Sequence, residues 1–157
     1  MNNLKWIGIV WVAAVFLQGC TSNHVADINM SVPDNNWAYA KSLKTAIDIK
    51  DNQTAYKVYF KLRHTLDYRY SNLYILMRLK GAGLNKQTRY QFKLANANGE
   101  WRGHGSGDIY TYTFPLLTDL HFDRPGKYEI EIEQNMRDNP LVGISDVGVT
   151  VSPALEN

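Results

Sequence analysis

The sequence predicts an all-β protein, an antiparallel β-sandwich of jelly-roll or immunoglobulin-like kind behind a cleaved lipoprotein signal peptide. Three observations predict it. Apolar and polar residues alternate with period two in one segment after another, the mark of strands with one buried face. Turn chemistry separates those segments roughly every ten residues. No stretch carries a 3.6-residue apolar stripe long enough for a main helix.

In LKTAIDIK, Leu43, Ile47 and Ile49 oppose Lys44, Asp48 and Lys50. In AYKVYFKLR, Tyr56, Val58, Phe60 and Leu62 oppose Lys57, Lys61 and Arg63. In NLYILMRLK, Leu73, Ile75, Met77 and Leu79 oppose Tyr74, Arg78 and Lys80. Residues 88–95 and YTYTFPLL, residues 110–117, supply two more strands, with Pro115 ending the latter at an edge or a break. KYEIEIEQ sets Tyr128, Ile130 and Ile132 against Lys127, Glu129, Glu131 and Glu133, and VGVTV at 147–151 closes the set. Asp51-Asn52, Gly81-Ala82-Gly83, Asn96 to Gly99 and Arg124-Pro125-Gly126 are the turns. Residues 134–146, with Pro140 and Gly143, read as a crossing loop with room for one helical turn.

The start of the chain is read differently. One cation, Lys5, precedes an apolar run from Trp6 to Leu17, shorter than the roughly twenty residues that span a bilayer. Leu17-Gln18-Gly19-Cys20 resembles a lipobox, with Leu17 and Gly19 recognised by the signal peptidase and Cys20 lipidated. Cys20 is the only cysteine, so no internal disulfide is available to an exported domain, and lipidation removes an otherwise exposed thiol. The expected organisation is a signal peptide over 1–19, a lipidated start and tether over 20–36, one sandwich domain over 37–152 and a tail over 153–157. Loss of Lys5 lowers the formal net charge from +2 to +1, which gives no electrostatic case for a nucleic-acid partner.

Chemistry concentrates in GEWRGHGSGDIY, residues 99–110. A phosphate loop would need Gly-Lys-Ser/Thr, or three glycines between a strand and a helix, and neither pattern is present. A hydrolase centred on His104 and Ser106 lacks the elbow spacing, since glycines directly flank the serine, and no acid is placed behind the histidine. His24, His64, His104 and His121 form no close ligand pair, and Asp108, Asp119 and Asp123 are loop carboxylates, so no metal or cofactor is expected. Ten tyrosines and Trp101 also fit a carbohydrate-binding face, with Tyr68, Tyr70 and Tyr74 at even positions, although tyrosine is equally a packed strand residue. The run is expected to begin with a hairpin turn at Asn98-Gly99 and to anchor on Trp101. Gly103, Gly105 and Gly107 then permit positive φ or the close approach of another backbone. Trp101, Arg102, Gly103, His104, Gly105, Gly107 and Asp108 make up the candidate interaction surface.

Four segments carry a family resemblance: NNWAY (35–39), DYRYSNLYILMRL (67–79), GEWRGHGSGDIY (99–110) and GKYEIEIEQNMRDNPLVGISDVGV (126–149). Behind a lipobox and in this order, they resemble the GldH family of gliding-motility lipoproteins. The resemblance implies a non-catalytic outer-membrane lipoprotein of the gliding and associated secretion machinery, working with other envelope lipoproteins and outer-membrane proteins. It transfers one functional position, the lipidated Cys20. Thr21 to Asp27 holds one carboxylate in seven residues, where surface-exported lipoproteins often carry an acidic run, so the periplasmic face is expected and the cell surface is the alternative.

Overall fold

The computed structural model describes residues 24–154, so Leu17, Gly19 and Cys20 lie outside the described residues. Eleven strands follow in order: β1 (Ala26–Ser31), β2 (Asn36–Trp37), β3 (Leu43–Ile49), β4 (Tyr56–Thr65), β5 (Asn72–Gly81), β6 (Leu84–Lys93), β7 (His104–Ser106), β8 (Ile109–Leu120), β9 (Gly126–Gln134), β10 (Leu141–Val142) and β11 (Ile144–Pro153). They pair antiparallel into a five-stranded sheet, β1-β11-β4-β8-β7, a four-stranded sheet, β3-β9-β5-β6, and a ribbon of β10 with β2.

The alternation read from the sequence is what seals the sandwich. Leu73, Ile75, Met77 and Leu79 of β5 are fully buried, as are Val58, Phe60 and Leu62 of β4 and Val147, Val149 and Val151 of β11. The two layers meet through Phe92 of β6, which stacks on Phe60 and Phe114 of the other sheet at 5.7 and 4.2 Å between centroids. The Tyr90 hydroxyl donates to the Leu116 carbonyl across the same gap. Polar residues on the outer faces pair across strands, as where Arg78 grips Glu133 with two hydrogen bonds of 2.9 Å.

Four local readings are corrected. The expected tether contains β1, paired with β11 at every position from Ala26↔Val151 to Ser31↔Asp146, followed by a 3-10 turn over Pro33–Asn35. Its residues show little alternation because β1 is an edge strand with Ile28 exposed, held by its ladder and by the Lys61–Asp27 ion pair. Pro115 does not end β8, which runs on to Leu120. The proline sits where the β4–β8 register shifts, beside β4 residues Val58 and Tyr59, and the ladder absorbs its missing donor there. Residues 134–146 hold no helical turn; they carry β10, and the chain then turns at Gly143 into β11, burying both Leu141 and Ile144. Tyr68 and Tyr70 lie in the turn before β5 and do not share a strand face with Tyr74; Tyr68 is buried, and its hydroxyl donates to the Asn72 carbonyl.

Candidate functional site

The glycine-rich run begins in a small hairpin organised by Asn96. Its side-chain oxygen accepts from the amides of Asn98 and Glu100 at 3.0 and 2.9 Å, and its amide group donates to the Glu100 carboxylate. Gly99 takes φ +83° at the tip, and a bridge pairs Ala95 with Trp101. The chain then forms β7, which turns through Gly107-Asp108 into β8 with Ser106↔Ile109 as the last pair. Gly107 at φ +60° supplies the positive φ that a two-residue hairpin loop demands at its first position.

Gly103 and Gly105 are bare for a different reason. A Cβ on Gly103 would lie 2.6 Å from the Tyr112 ring and 2.9 Å from the Thr111 carbonyl oxygen. At Gly105 it would meet Tyr110 at 3.2 Å. The two tyrosines of β8 lie across the glycine backbone of β7, filling space that the missing side chains leave. At half-buried Gly103 the bare backbone is covered by its own domain, while Gly105 stays exposed beside Tyr110.

Trp101 lies half-buried against a residue that sequence reasoning passed over. His64, fully buried on β4, meets Trp101 edge to face at 4.4 Å between centroids, with Tyr68, Tyr110 and Tyr112 around it at 5.2 to 5.6 Å. Its Nδ1 donates to the Thr65 carbonyl at 2.9 Å, and its Nε2 lies 3.3 Å from the Tyr112 hydroxyl, which donates to the Leu94 carbonyl at 2.8 Å. Burial holds the imidazole pKa below its ordinary value, and so keeps the ring neutral, while burial raises the Tyr68 and Tyr112 hydroxyls. A signal for His64 was present in the sequence. It continues the apolar phase of Tyr56, Val58, Phe60 and Leu62, so it reads as an inward-facing residue.

The remaining members of the run are open. Arg102, His104, Gly105, Ser106, Gly107 and Asp108 are exposed. Among the described residues, no three His, Cys, Asp or Glu side chains come together. Arg102 and His104 border a depression of about 370 Å³ between β6 and the β7–β8 hairpin, floored by Phe92, Tyr112 and Phe114. A second depression of about 520 Å³ adjoins it, sharing Gln91, Lys93 and Arg102 and extending to Asn72 and Asn96. Neither Lys93 nor Arg102 makes an ion pair among the described residues. The groove was not visible in the sequence, because it forms between segments of two sheets brought together only by the packing of one sheet on the other.

Residues 24–151 match the family described as GldH lipoprotein. The chain is 29% identical to a gliding motility lipoprotein GldH homolog of Christiangramia forsetii, over 87% of this chain and 88% of that protein. It is 27% identical to the gliding motility lipoprotein GldH of Flavobacterium johnsoniae, over 94% of this chain and 96% of the relative. Among solved structures, a carbohydrate-binding module specific for non-crystalline cellulose superimposes with a TM-score of 0.46 at 11% identity, over 81% of this chain and 72% of that one, too loosely to bear on ligand or fold.

Proposed function

The chain belongs to the GldH lipoprotein family, and from that premise we propose a non-catalytic outer-membrane lipoprotein of the gliding-motility and associated protein-secretion machinery. It works through contacts with other envelope lipoproteins and outer-membrane proteins, is anchored by lipid on Cys20 after cleavage at Leu17-Gln18-Gly19, and faces the periplasm. The observation that carries this reading is the groove, which presents Lys93 and Arg102 without ion-pair partners among the described residues, beside a hairpin with no unsatisfied buried side-chain polar atom. The names of the two relatives support the same role.

The position of β1 supports the anchor. Pairing begins with the Val25 amide on the Val151 carbonyl. Only Thr21 to His24 separate Val25 from Cys20, a reach of at most roughly 17 Å in extended chain. A lipid there keeps the end of the sandwich that holds Ala26 and Pro153 close to the bilayer. Two or more acyl chains hold such a protein firmly, where one gives marginal binding.

Metabolic labelling with an alkyne fatty acid tests the anchor: wild type takes up label, and Cys20→Ser stays unlabelled and soluble after lysis. An unlabelled wild type contradicts it. Crosslinking on intact cells followed by co-purification tests the role. Repeated recovery of no envelope partner overturns it, and glycan-array binding that Trp101→Ala abolishes replaces it with a carbohydrate-binding function.

A further inference from the structure

The strand that borders the groove is itself unfinished. β6 pairs with β5 at all ten positions from Leu84 to Lys93 and ends its sheet, so among the described residues its other side has no strand beside it. The phase of the open side follows from the hairpin. Ala82 and Gly83 take φ +46° and +87°, both positive as in a type I′ loop, and that loop makes Gly81↔Leu84 a hydrogen-bonded pair. The Leu94 amide on the Ser71 carbonyl keeps the same phase at the other end. The amides and carbonyls of Asn85, Gln87, Arg89, Gln91 and Lys93 therefore point away from β5. None of them has a backbone partner outside the strand ladders among the described residues.

The charges on this edge are as one-sided as its hydrogen bonds. From Leu84 to Leu94 the chain carries Lys86, Arg89 and Lys93 and no carboxylate, and Arg102 adds a fourth cation at the groove. None of the four makes an ion pair among the described residues; Arg89 instead lies 4.2 Å over the Tyr74 ring. The sheet's other edge, β3, has its charges matched, Lys44 to Glu131 and Asp48 to Lys50. Cations on an edge strand deter pairing with a second copy, since β6 beside β6 sets like charges against each other. The same cations favour a strand of opposite charge.

We propose that the free edge of β6, with the adjoining groove, is the docking site for an extended carboxylate-bearing segment of an envelope partner, which adds to the four-stranded sheet as a fifth strand. Backbone hydrogen bonds to residues 85–93 supply pairing, and Lys93, Arg89 and Arg102 select acidic side chains. Phe92, Tyr112 and Phe114 receive the alternate, apolar ones. This inference rests on the reading of the protein as a docking lipoprotein.

The test uses the full chain in detergent and a fluorescent ten-residue peptide of alternating valine and glutamate, followed by anisotropy. Saturable binding is expected, with none for the valine–lysine peptide. N-methylation of alternate amides in the peptide, or Arg89→Glu with Lys93→Glu in the protein, weakens it roughly tenfold or more. Gln91→Pro removes one outward amide, leaves the β5 ladder intact and weakens binding as well. Absence of binding overturns the proposal, as does equal affinity for the N-methylated peptide or displacement by an alginate oligomer at equal concentration, which assigns the edge to acidic polysaccharide. In cells, wild type recovering a partner that the Arg89→Glu/Lys93→Glu protein recovers equally sinks this inference and leaves the docking role standing. A wild type that recovers none sinks the role itself.

Discussion

Trp101 and Gly103 address one set of neighbours, Arg102 and His104 another, and the two sets differ in how completely they are satisfied. On the first side every buried side-chain polar atom has found its partner. His64, Tyr112 and Tyr68 donate to carbonyls of their own chain, and the rings close over the imidazole and the bare glycine backbone. On the second side Arg102, with Lys93 across the groove, faces outward and makes no ion pair among the described residues. A single run of sequence thus holds the fold with alternate residues and offers charge with the others. The tryptophan at 101 and the glycine at 103, which help make the run look like a catalytic loop, are packing requirements of the first side.

Perturbing the satisfied side breaks the comparison hardest. Trp101→Ala removes the edge-on cover of His64 and is expected to cost about 2 to 3 kcal/mol, read as a lower midpoint in denaturant with little change in slope. Gly103→Ala comes next, at about 1 to 3 kcal/mol, because its Cβ must displace the Tyr112 ring or the Thr111 carbonyl. Gly107→Ala is the internal control: nothing lies within 4 Å of its Cβ, so only the cost of φ +60° remains, about 1 kcal/mol. Equal losses at 103 and 107 would show that tyrosine cover is not what keeps Gly103 bare.

A pH titration sharpens the comparison with a smaller effect. The folded-state pKa of His64 is depressed by burial below its ordinary 6.5, so the unfolded chain binds the proton more readily. The stability conferred by a neutral His64 is complete above that ordinary value. It is lost as pH falls from there through the folded pKa. His64→Gln should flatten the dependence in this window. An unchanged slope would mean that the imidazole titrates freely and that the aromatic box is open to water.

How much of this was legible follows from which interactions are local. β3, β4, β5 and β9 were readable because each keeps strict alternation against a single buried face. β1 was not, since its order comes from backbone pairing with a strand more than a hundred residues later and its side chains are mostly exposed. The turn at Asn98-Gly99 was legible from residue type, but the cover of Gly103 by Tyr112 depends on hairpin register. The groove depends on two sheets coming face to face. Strand phase pointed His64 inward, yet nothing in the sequence could place Trp101 and three tyrosines around it.

The charged side should respond least in stability and most in contacts. Lys93→Glu with Arg102→Glu changes two exposed, unpaired cations, and the unfolding free energy is expected to stay within about 0.5 kcal/mol of wild type. The decisive measurement is co-purification of envelope partners after crosslinking of this double variant in cells, alongside Trp101→Ala, with the unfolding midpoint of each protein recorded. A double variant that melts like wild type and loses its partner is the predicted result. One that melts like wild type and recovers the partner undiminished would contradict the assignment of docking to this side of the sandwich.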